Sequence, residues 1–504
     1  MAGPSLLSEI LDHLEIGEDV DYEFKAAQGR DGRGELPHSF WESYSGMSNS
    51  EGGKIILGIR ETAGNFEVCG LREPSRIRKE IWDGLRNKEL ASACILAEAD
   101  VQILQLRGQD VILVRVPRAK RQDRPVFIGR DLFSGTFKRN FEGDYRCEST
   151  AVKRMLAEAQ EDSRDARILP RFTLEDLETG TLERFRKALT TGGEDHQWAH
   201  LDVREILRLV GGWRRDRDSG EEGPTLAGLL AFGTYRSIAE EVPTYAVDYQ
   251  ERRAPGTPAD TIKRIFSDGS WSSNLFDFYL HVLPEISSGQ GVAGAGVAEP
   301  RAPGDHVKGA LREALVNSLI HADFSGRIGI LITKQPGFYS FRNPGGLRIP
   351  LADALAGGVS DCRNRNLQKI FRSVGAAEQM GSGVIKILRA WNEQGWRTPL
   401  LRERDEPEMT TLQLPLSSLI PSVVEDELRG LFPGKYVRLS PTEKAVIATA
   451  RTEDSVTNAR VREIDGSMHP ADATHLLRKL VDGGFLRPQG MGRGSSYVLS
   501  TQQD

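Results

Sequence analysis

Short β-branched runs alternate along the chain with longer stripes at helical spacing, the pattern of mixed α/β domains. After a first helix, Lys54-Ile55-Ile56-Leu57-Gly58-Ile59 and Val111-Ile112-Leu113-Val114-Arg115-Val116 read as strands, each stopped by Gly or Pro. A helix over 151–160 leads into the acidic and basic mixture 161–167, which reads as a solvated connector and a first boundary. From 168 to 285 helical patterns alternate with a strand around Thr244–Tyr249, and Trp271 to Leu283 reads as an aromatic core helix. The stretch 287–304 carries Gly289, Gly291, Gly294, Gly296, Pro300 and Pro303 and predicts a flexible loop. Residues 305–415 form another α/β unit, and 437–500 read as helices ending in a β-hairpin. The expected division is therefore 1–160, 161–300, 301–420, a linker 421–436 and 437–504.

Composition narrows the partners. A chain of 504 residues exceeds one core's reach, at roughly 150 residues per domain. With 66 Lys+Arg against 72 Asp+Glu the net charge is -6, so any nucleic-acid surface must be local. Residues 107–146 supply one candidate: ten Lys/Arg against five acids. Arg118, Lys120, Arg121, Arg124, Lys138 and Arg139 are the phosphate-tracking candidates there. Phe127, Phe133, Phe137 and Tyr145, interleaved with them, can stack on bases or serve as core. Four dispersed cysteines exclude a disulfide framework and a zinc site, and no apolar run is long enough to span a membrane. A cytoplasmic protein with reduced thiols is expected.

The first chemical candidate is Gly17-Glu18-Asp19-Val20-Asp21-Tyr22-Glu23-Phe24-Lys25. In extended chain Lys25 shares a face with Glu23. Gathered carboxylates bind Mg²⁺ or Mn²⁺, and the metal can activate water against a phosphodiester. From spacing alone, an acidic run before a strand reads as a solvated edge sooner than as a catalytic site. Glu18-x4-Glu23-Phe24-Lys25, followed by Asn49-Ser50-Glu51-Gly52-Gly53 and a strand, resembles the Alba-like domain of the Schlafen family over residues 1 to about 157. The resemblance implies a metal-dependent nuclease acting on structured RNA such as tRNA, with Glu18 and Glu23 as metal ligands and Glu61 as third acid. It also implies membership alongside bacterial nucleic-acid-binding regulators. The Gly52-Gly53 pair allows close approach to a phosphate, or simply a tight turn.

A second constellation lies at Glu313, Asn317 and His321, four residues apart on one helix face. An Asn oxygen can ligate Mg²⁺ and a Glu one turn earlier can polarise water. Gly-rich turns follow at Asn343-Pro344-Gly345-Gly346 and at Gly381-Ser382-Gly383, the latter opening a helix whose N-terminus favours anions. In this order they resemble the GHKL ATP-binding fold, in the divergent form of RecG-like regulators, over roughly 300–415. The resemblance implies that Glu313 activates water, Asn317 holds Mg²⁺, Asn343, Gly345 and Gly346 meet adenine, and Gly381, Ser382 and Gly383 meet phosphate. A lid carrying Arg363 and Arg365 is implied over 347–378.

In the tail, Ser440-Pro441-Thr442-Glu443 starts a helix, two more follow, and 485–499 read as a hairpin. This resembles a winged helix, implying duplex-DNA contacts by Arg478, Lys479 and Arg493. The tail holds nine Lys/Arg and eight Asp/Glu, so a protein-contact role stands equally open. The reading as a whole is an α/β (α+β) multidomain protein: a Schlafen/Alba-like domain, a GHKL-type α/β sandwich and a winged helix. It takes ATP, Mg²⁺ or Mn²⁺ and nucleic acid, forms a homo-oligomer and touches no membrane. Its expected output is RNA or single-strand cleavage, in phage defence. The alternative is a non-catalytic, ATP-sensing transcriptional regulator on duplex DNA.

Overall fold

The computed structural model describes residues 7, 10, 11, 14, 22–28, 33–62, 65–140, 143–159, 164–191, 198, 201–252, 261–288, 304–377, 381–394, 396–416, 420, 422–465, 468, 470–489 and 496–500. The chain divides into two compact units. One contains Met1–Glu161 with Thr449–Val461 and Met468–Asp504, and the other Asp162–Ala448 with Arg462–Ser467.

The first unit contains β1 (Tyr22–Lys25), α1 (Ser39–Ser48), β2 (Gly53–Leu57), β3 (Ile59–Thr62), β4 (Asn65–Val68), α2 (Pro74–Arg86), β5 (Val101–Leu106), β6 (Gln109–Val116), β7 (Phe137–Asn140), β8 (Gly143–Arg146) and α3 (Ser149–Ala159). Its main sheet has the order β1-β2-β6-β5, with β1 parallel to β2 and the other pairs antiparallel. The apolar runs of β2 and β6 are continuous because both sheet faces are covered. Ile55, Leu57, Ile112 and Val114 pack in one cluster with Phe40, Tyr44, Ile77 and Ile81. Ile56, Val111 and Leu113 pack on the other side with Phe24, Ile10 and Leu14.

The Asn49–Gly53 turn serves the fold. Gly52 has φ +88, and a Cβ there would lie 2.7 Å from the Val116 carbonyl oxygen, so glycine permits β2 to start against the end of β6. Asn49 is buried and binds three backbone groups: its Nδ2 donates to Val126 O (2.7 Å) and Phe137 O (2.9 Å), and its Oδ1 accepts from Val126 N (2.8 Å).

In the second unit a short hairpin, β9 (Trp213–Arg215) with β10 (Glu222–Pro224), precedes β11 (Val247–Arg252), β12 (Thr261–Phe266), α4 (Leu275–Ser287), α5 (Asp305–Ile320), β13 (Ile330–Gln335), β14 (Phe338–Pro344), α6 (Leu351–Ala356), α7 (Arg365–Ser373), α8 (Gly383–Glu393), β15 (Leu400–Asp405) and β16 (Glu408–Pro415). From β11 onward the strands form one sheet in the order β12-β11-β13-β14-β16-β15. Because β11 lies parallel to β13, the expected boundary at 300 does not separate two domains. A single hydrophobic core runs from Leu169 to Leu416 and includes Val247, Phe276, Phe278, Leu315 and Phe341. Of the expected loop 287–304, Ser287 closes α4 and residues 289–303 lie outside the described residues. The connector differs as well. Instead of being solvated, Asp165 is completely buried.

Further along are α9 (Ser422–Leu431), α10 (Pro441–Thr452), α11 (Asn458–Ile464), α12 (Pro470–Asp482), β17 (Leu486–Gln489) and β18 (Ser496–Leu499). The expected helix start carries reciprocal bonds, Ser440 N to Glu443 Oε2 at 2.7 Å and Glu443 N to Ser440 Oγ at 3.2 Å. β17 and β18 pair antiparallel.

Candidate functional site

A cleft of about 1140 Å³ of empty space, counting its open mouth, is cut into the second unit. Glu313, Asn317 and His321 line it from α5 and the residue that caps it, and Phe341, Asn343, Thr410 and Leu412 from β14 and β16. Gly346–Ile349, Val359–Asp361, Arg363, Gly381 and, from the start of α8, Gly383, Val384 and Ile387 complete its walls. An apolar slot with a few convergent polar groups suits a small-molecule ligand.

The helix α5 turns Val307, Ala310, Leu311, Ala314, Leu315 and Leu319 into the core. Glu313 and Asn317, one turn apart, are left half-buried toward the cleft. Burial pushes the Glu313 carboxyl above its ordinary range, against the pull of an Asn317 hydrogen bond and of Lys386 and Arg312. The amide oxygen of Asn317 is the kind of atom that a hard cation takes. Over this pair lies the start of α8. A Cβ on Gly383 would sit 2.2 Å from Glu313 Oε1 and 3.0 Å from Asn317 Nδ2. Gly381, at φ +84, accepts from Gly358 N at 3.0 Å.

At the sheet end, buried Asn343 donates from Nδ2 to Pro344 O at 3.2 Å, which leaves Oδ1 as an acceptor for an exocyclic amine. Its register partner Thr410 donates to Gly345 O at 2.8 Å. Gly346, Gly381 and Gly383 line the cleft, whereas Gly345 and Ser382 stand outside its lining. Arg363 is buried against the cleft wall, where it meets three groups. Its Nε donates to His321 O at 3.0 Å and its Nη2 to Gly346 O at 2.8 Å, and Nη1 stands 3.9 Å from Asp323. Arg365 is exposed and pairs loosely with Asp361 at 3.8 Å. Burial, reinforced by Arg363 and Arg348, pushes the His321 imidazole down to about 4. Burial opposes ionisation of Asp323, but Arg363, Ser325 and Arg164 hold its carboxyl below the ordinary range.

In the first unit Lys25 Nζ lies 2.6 Å from Glu23 Oε1, and the wholly buried Arg139 side chain places Nη1 2.9 Å from Glu23 Oε2. Arg139 also stands 3.5 Å from Asp144 and donates to Tyr22 O at 3.0 Å. Ser43 holds Asp144 from the other side at 2.5 Å. Glu23 thus meets two cations, and one of them, Arg139, also faces Asp144. Glu61 is exposed on β3, and Glu18 lies outside the described residues. Among the described residues no three His, Cys, Asp or Glu side chains gather to hold a metal.

The basic segment divides by burial. Lys120 is exposed and Arg124 and Lys138 are half-buried, but Arg121 is buried and donates to Glu158 O, and Arg118 pairs with Glu51. Buried Arg121 and Arg139 act as internal struts, which corrects their expected place on a phosphate-tracking face. Of the aromatics, Tyr145 (61% exposed) and Phe133 (37%) face solvent, while Phe137 is core. On α12 Lys479 is exposed and Arg478 half-buried, and Arg493 lies outside the described residues. Thr410 and Asp144 escaped sequence reasoning. Only strand register ties Thr410 to Asn343, and no local motif marks Asp144.

Comparison with known proteins finds matches to separate segments of the chain. Residues 18–148 match the family model described as Schlafen, AlbA_2, and residues 339–412 the model described as ATP-dependent DNA helicase recG C-terminal. Residues 153–248 match a domain of unknown function. The chain has a Schlafen-like architecture with a RecG-like ATPase-type segment, and these matches associate it with nucleic-acid-related function. No curated protein matches it. Among solved structures, the DIP2311 protein from Corynebacterium diphtheriae is similar at 16% identity and TM-score 0.40, over 95% of this chain and 94% of that one. The N-terminal domain of a RecG-related protein from Nitrosomonas europaea is similar at 21% identity and TM-score 0.18, over 23% of this chain and 81% of that one. No helix among the described residues is long and apolar enough to cross a membrane.

Proposed function

We propose that the protein is an ATP-binding regulator whose N-terminal unit engages nucleic acid, working as a homo-oligomer. The observation that carries this reading is the close approach of Gly383 to Glu313 and Asn317, which brings a helix N-terminus over a carboxylate and amide pair. Asn343 Oδ1 and Thr410 would meet adenine, the α8 N-terminus would meet phosphate, and the Asn317 oxygen would hold Mg²⁺. The donor set fits such an ion, and when bound it would neutralise phosphate charge. Glu313, whose carboxyl burial pushes above its ordinary range, would take a proton from water in slow hydrolysis.

The nuclease reading, with Glu18, Glu23 and Glu61 round Mg²⁺ or Mn²⁺, requires Glu23 to leave Lys25 and Arg139. Its pairing with both cations favours binding over cutting. Exposed Lys120 and Tyr145 are candidate contacts for a strand, and Lys479 for duplex DNA.

The test incubates wild type, Glu23→Gln and Asn317→Ala with tRNA, single-stranded DNA and duplex DNA, with and without Mn²⁺ and ATP. We expect ATP-sensitive binding without cleavage, and loss of Mg²⁺-dependent ATP binding in Asn317→Ala. Mn²⁺-dependent cleavage that disappears in Glu23→Gln would install the nuclease reading instead. Unchanged ATP affinity in Asn317→Ala would retire the nucleotide site.

A further inference from the structure

We propose that Arg164 and Asp165 are positioning residues that fasten the connector to the nucleotide cleft and transmit its occupancy to the N-terminal unit. The inference rests on the reading of that cleft as an ATP site.

The first turn of a helix leaves backbone N–H groups unpaired, and a nearby side chain ordinarily caps them. At α7 the N-cap residue Asn364 makes no such bond. Its Nδ2 donates instead to Ile320 O at 3.0 Å and Ala322 O at 2.8 Å. The cap comes from a distant part of the chain. Asp165, completely buried, accepts from Asn366 N at 2.8 Å and Leu367 N at 2.9 Å through Oδ2. A carboxylate at a helix N-terminus also gains from the helix dipole.

The preceding residue makes a second attachment. Arg164 Nη1 donates to Ser325 Oγ at 3.1 Å and stands 3.6 Å from Asp323 Oδ1. Asp323 faces Arg363, which in turn binds the carbonyl groups of His321 and Gly346 in the cleft wall. Two routes therefore run from the cleft to consecutive residues of the connector. One passes through Arg363 and Asp323 to Arg164, and the other through the start of α7 to Asp165. Beyond them the chain is pinned again, with Leu226 N donating to Arg167 O and Leu169 N to Pro224 O, both at 2.9 Å. A displacement of the cleft wall on nucleotide entry would therefore be felt at Arg164 and Asp165. Releasing Asp165 would leave a buried carboxylate and two N–H groups unsatisfied, which makes this attachment stiff.

The test measures tRNA affinity by fluorescence anisotropy, with and without saturating Mg²⁺-ATP, for the full chain and its Arg164→Ala, Arg164→Lys and Asp165→Asn variants. Mg²⁺-ATP affinity is measured by calorimetry in parallel. In wild type Mg²⁺-ATP should change the tRNA Kd by at least about 5-fold. In Arg164→Ala and Asp165→Asn the change should fall below about 2-fold, with Mg²⁺-ATP Kd within about 3-fold of wild type, and Arg164→Lys should recover part of it. A merely structural role would lower thermal stability and leave the ratio intact. Should Asp165→Asn fail to fold, Arg164→Ala decides alone, because its side chain is 30% exposed. Variants that keep the wild-type ratio overturn this inference while the ATP site stands, as does a wild type that binds Mg²⁺-ATP without any change in tRNA affinity. A wild type that binds no Mg²⁺-ATP overturns the underlying reading and this inference with it.

Discussion

At the scale of single residues the cleft depends on a missing methyl group. A Cβ on Gly383 would fall on Glu313 Oε1, the end of a flexible side chain that can swing away. Gly383→Ala should therefore fold normally yet bind Mg²⁺-ATP at least ~10-fold more weakly, about 1.4 kcal/mol. Calorimetry beside a thermal melt separates the two effects, and an unaltered Kd would remove Gly383 from the site. His321 makes a pH prediction. Its pKa is pushed down to about 4 from 6.5, so the unfolded chain binds more protons than the folded one between those values. The stability it contributes is complete above pH 6.5 and lost as pH falls through about 4. Urea midpoints of His321→Gln should decline less steeply than those of wild type across that window, and parallel slopes would refute the assignment. Glu313, Asn317 and Gly383 were legible because helical spacing and a glycine turn are local signals. Asp165 and Asp144 were not, since each acquires its role from partners far along the chain.

Among elements, the hairpin of β7 and β8 shows what a motif on its own leaves open. The Asn49–Gly53 segment can read as a phosphate turn, yet Asn49 spends its amide on Val126 and Phe137, tying α1 to the strand that carries Arg139. Asn49→Ala would orphan buried backbone groups, each costing about 1–3 kcal/mol. The urea midpoint should drop accordingly, and Glu23, whose partner Arg139 sits on β7, should become more accessible to carbodiimide labelling. A loss under about 1 kcal/mol would mean the hairpin is held elsewhere. Strands β2 and β6 were legible from their apolar runs, and α10 from its Ser440–Glu443 box, because both signals lie within a few residues. The second face covering β2 was not, since it is supplied by Phe24, Ile10 and Leu14 from another segment.

For the whole molecule the sharpest disagreement concerns where one fold ends. Composition points to a break near residue 300, and the recG-type match covers only 339–412. Yet β11 pairs with β13 from Val247↔Ile330 to Glu251↔Lys334, and Val247, Tyr249, Phe276 and Phe278 share the core with Phe341 and Leu315. Cutting at 300 would expose the hydrogen-bonding edge of β13 and the apolar face of α5 together. Sequence could not show this, because a parallel pairing across some eighty residues leaves no periodicity to read. A fragment of 301–420 should therefore aggregate or give a collapsed amide spectrum. A fragment of 162–448, which keeps β11, β12, α4 and the Arg164–Asp165 attachment, should melt cooperatively and bind Mg²⁺-ATP within about 3-fold of the full chain. If the shorter fragment folds and binds equally well, the sheet's first two strands are dispensable. The cleft would then be an autonomous module, with the connector attached to it only in passing.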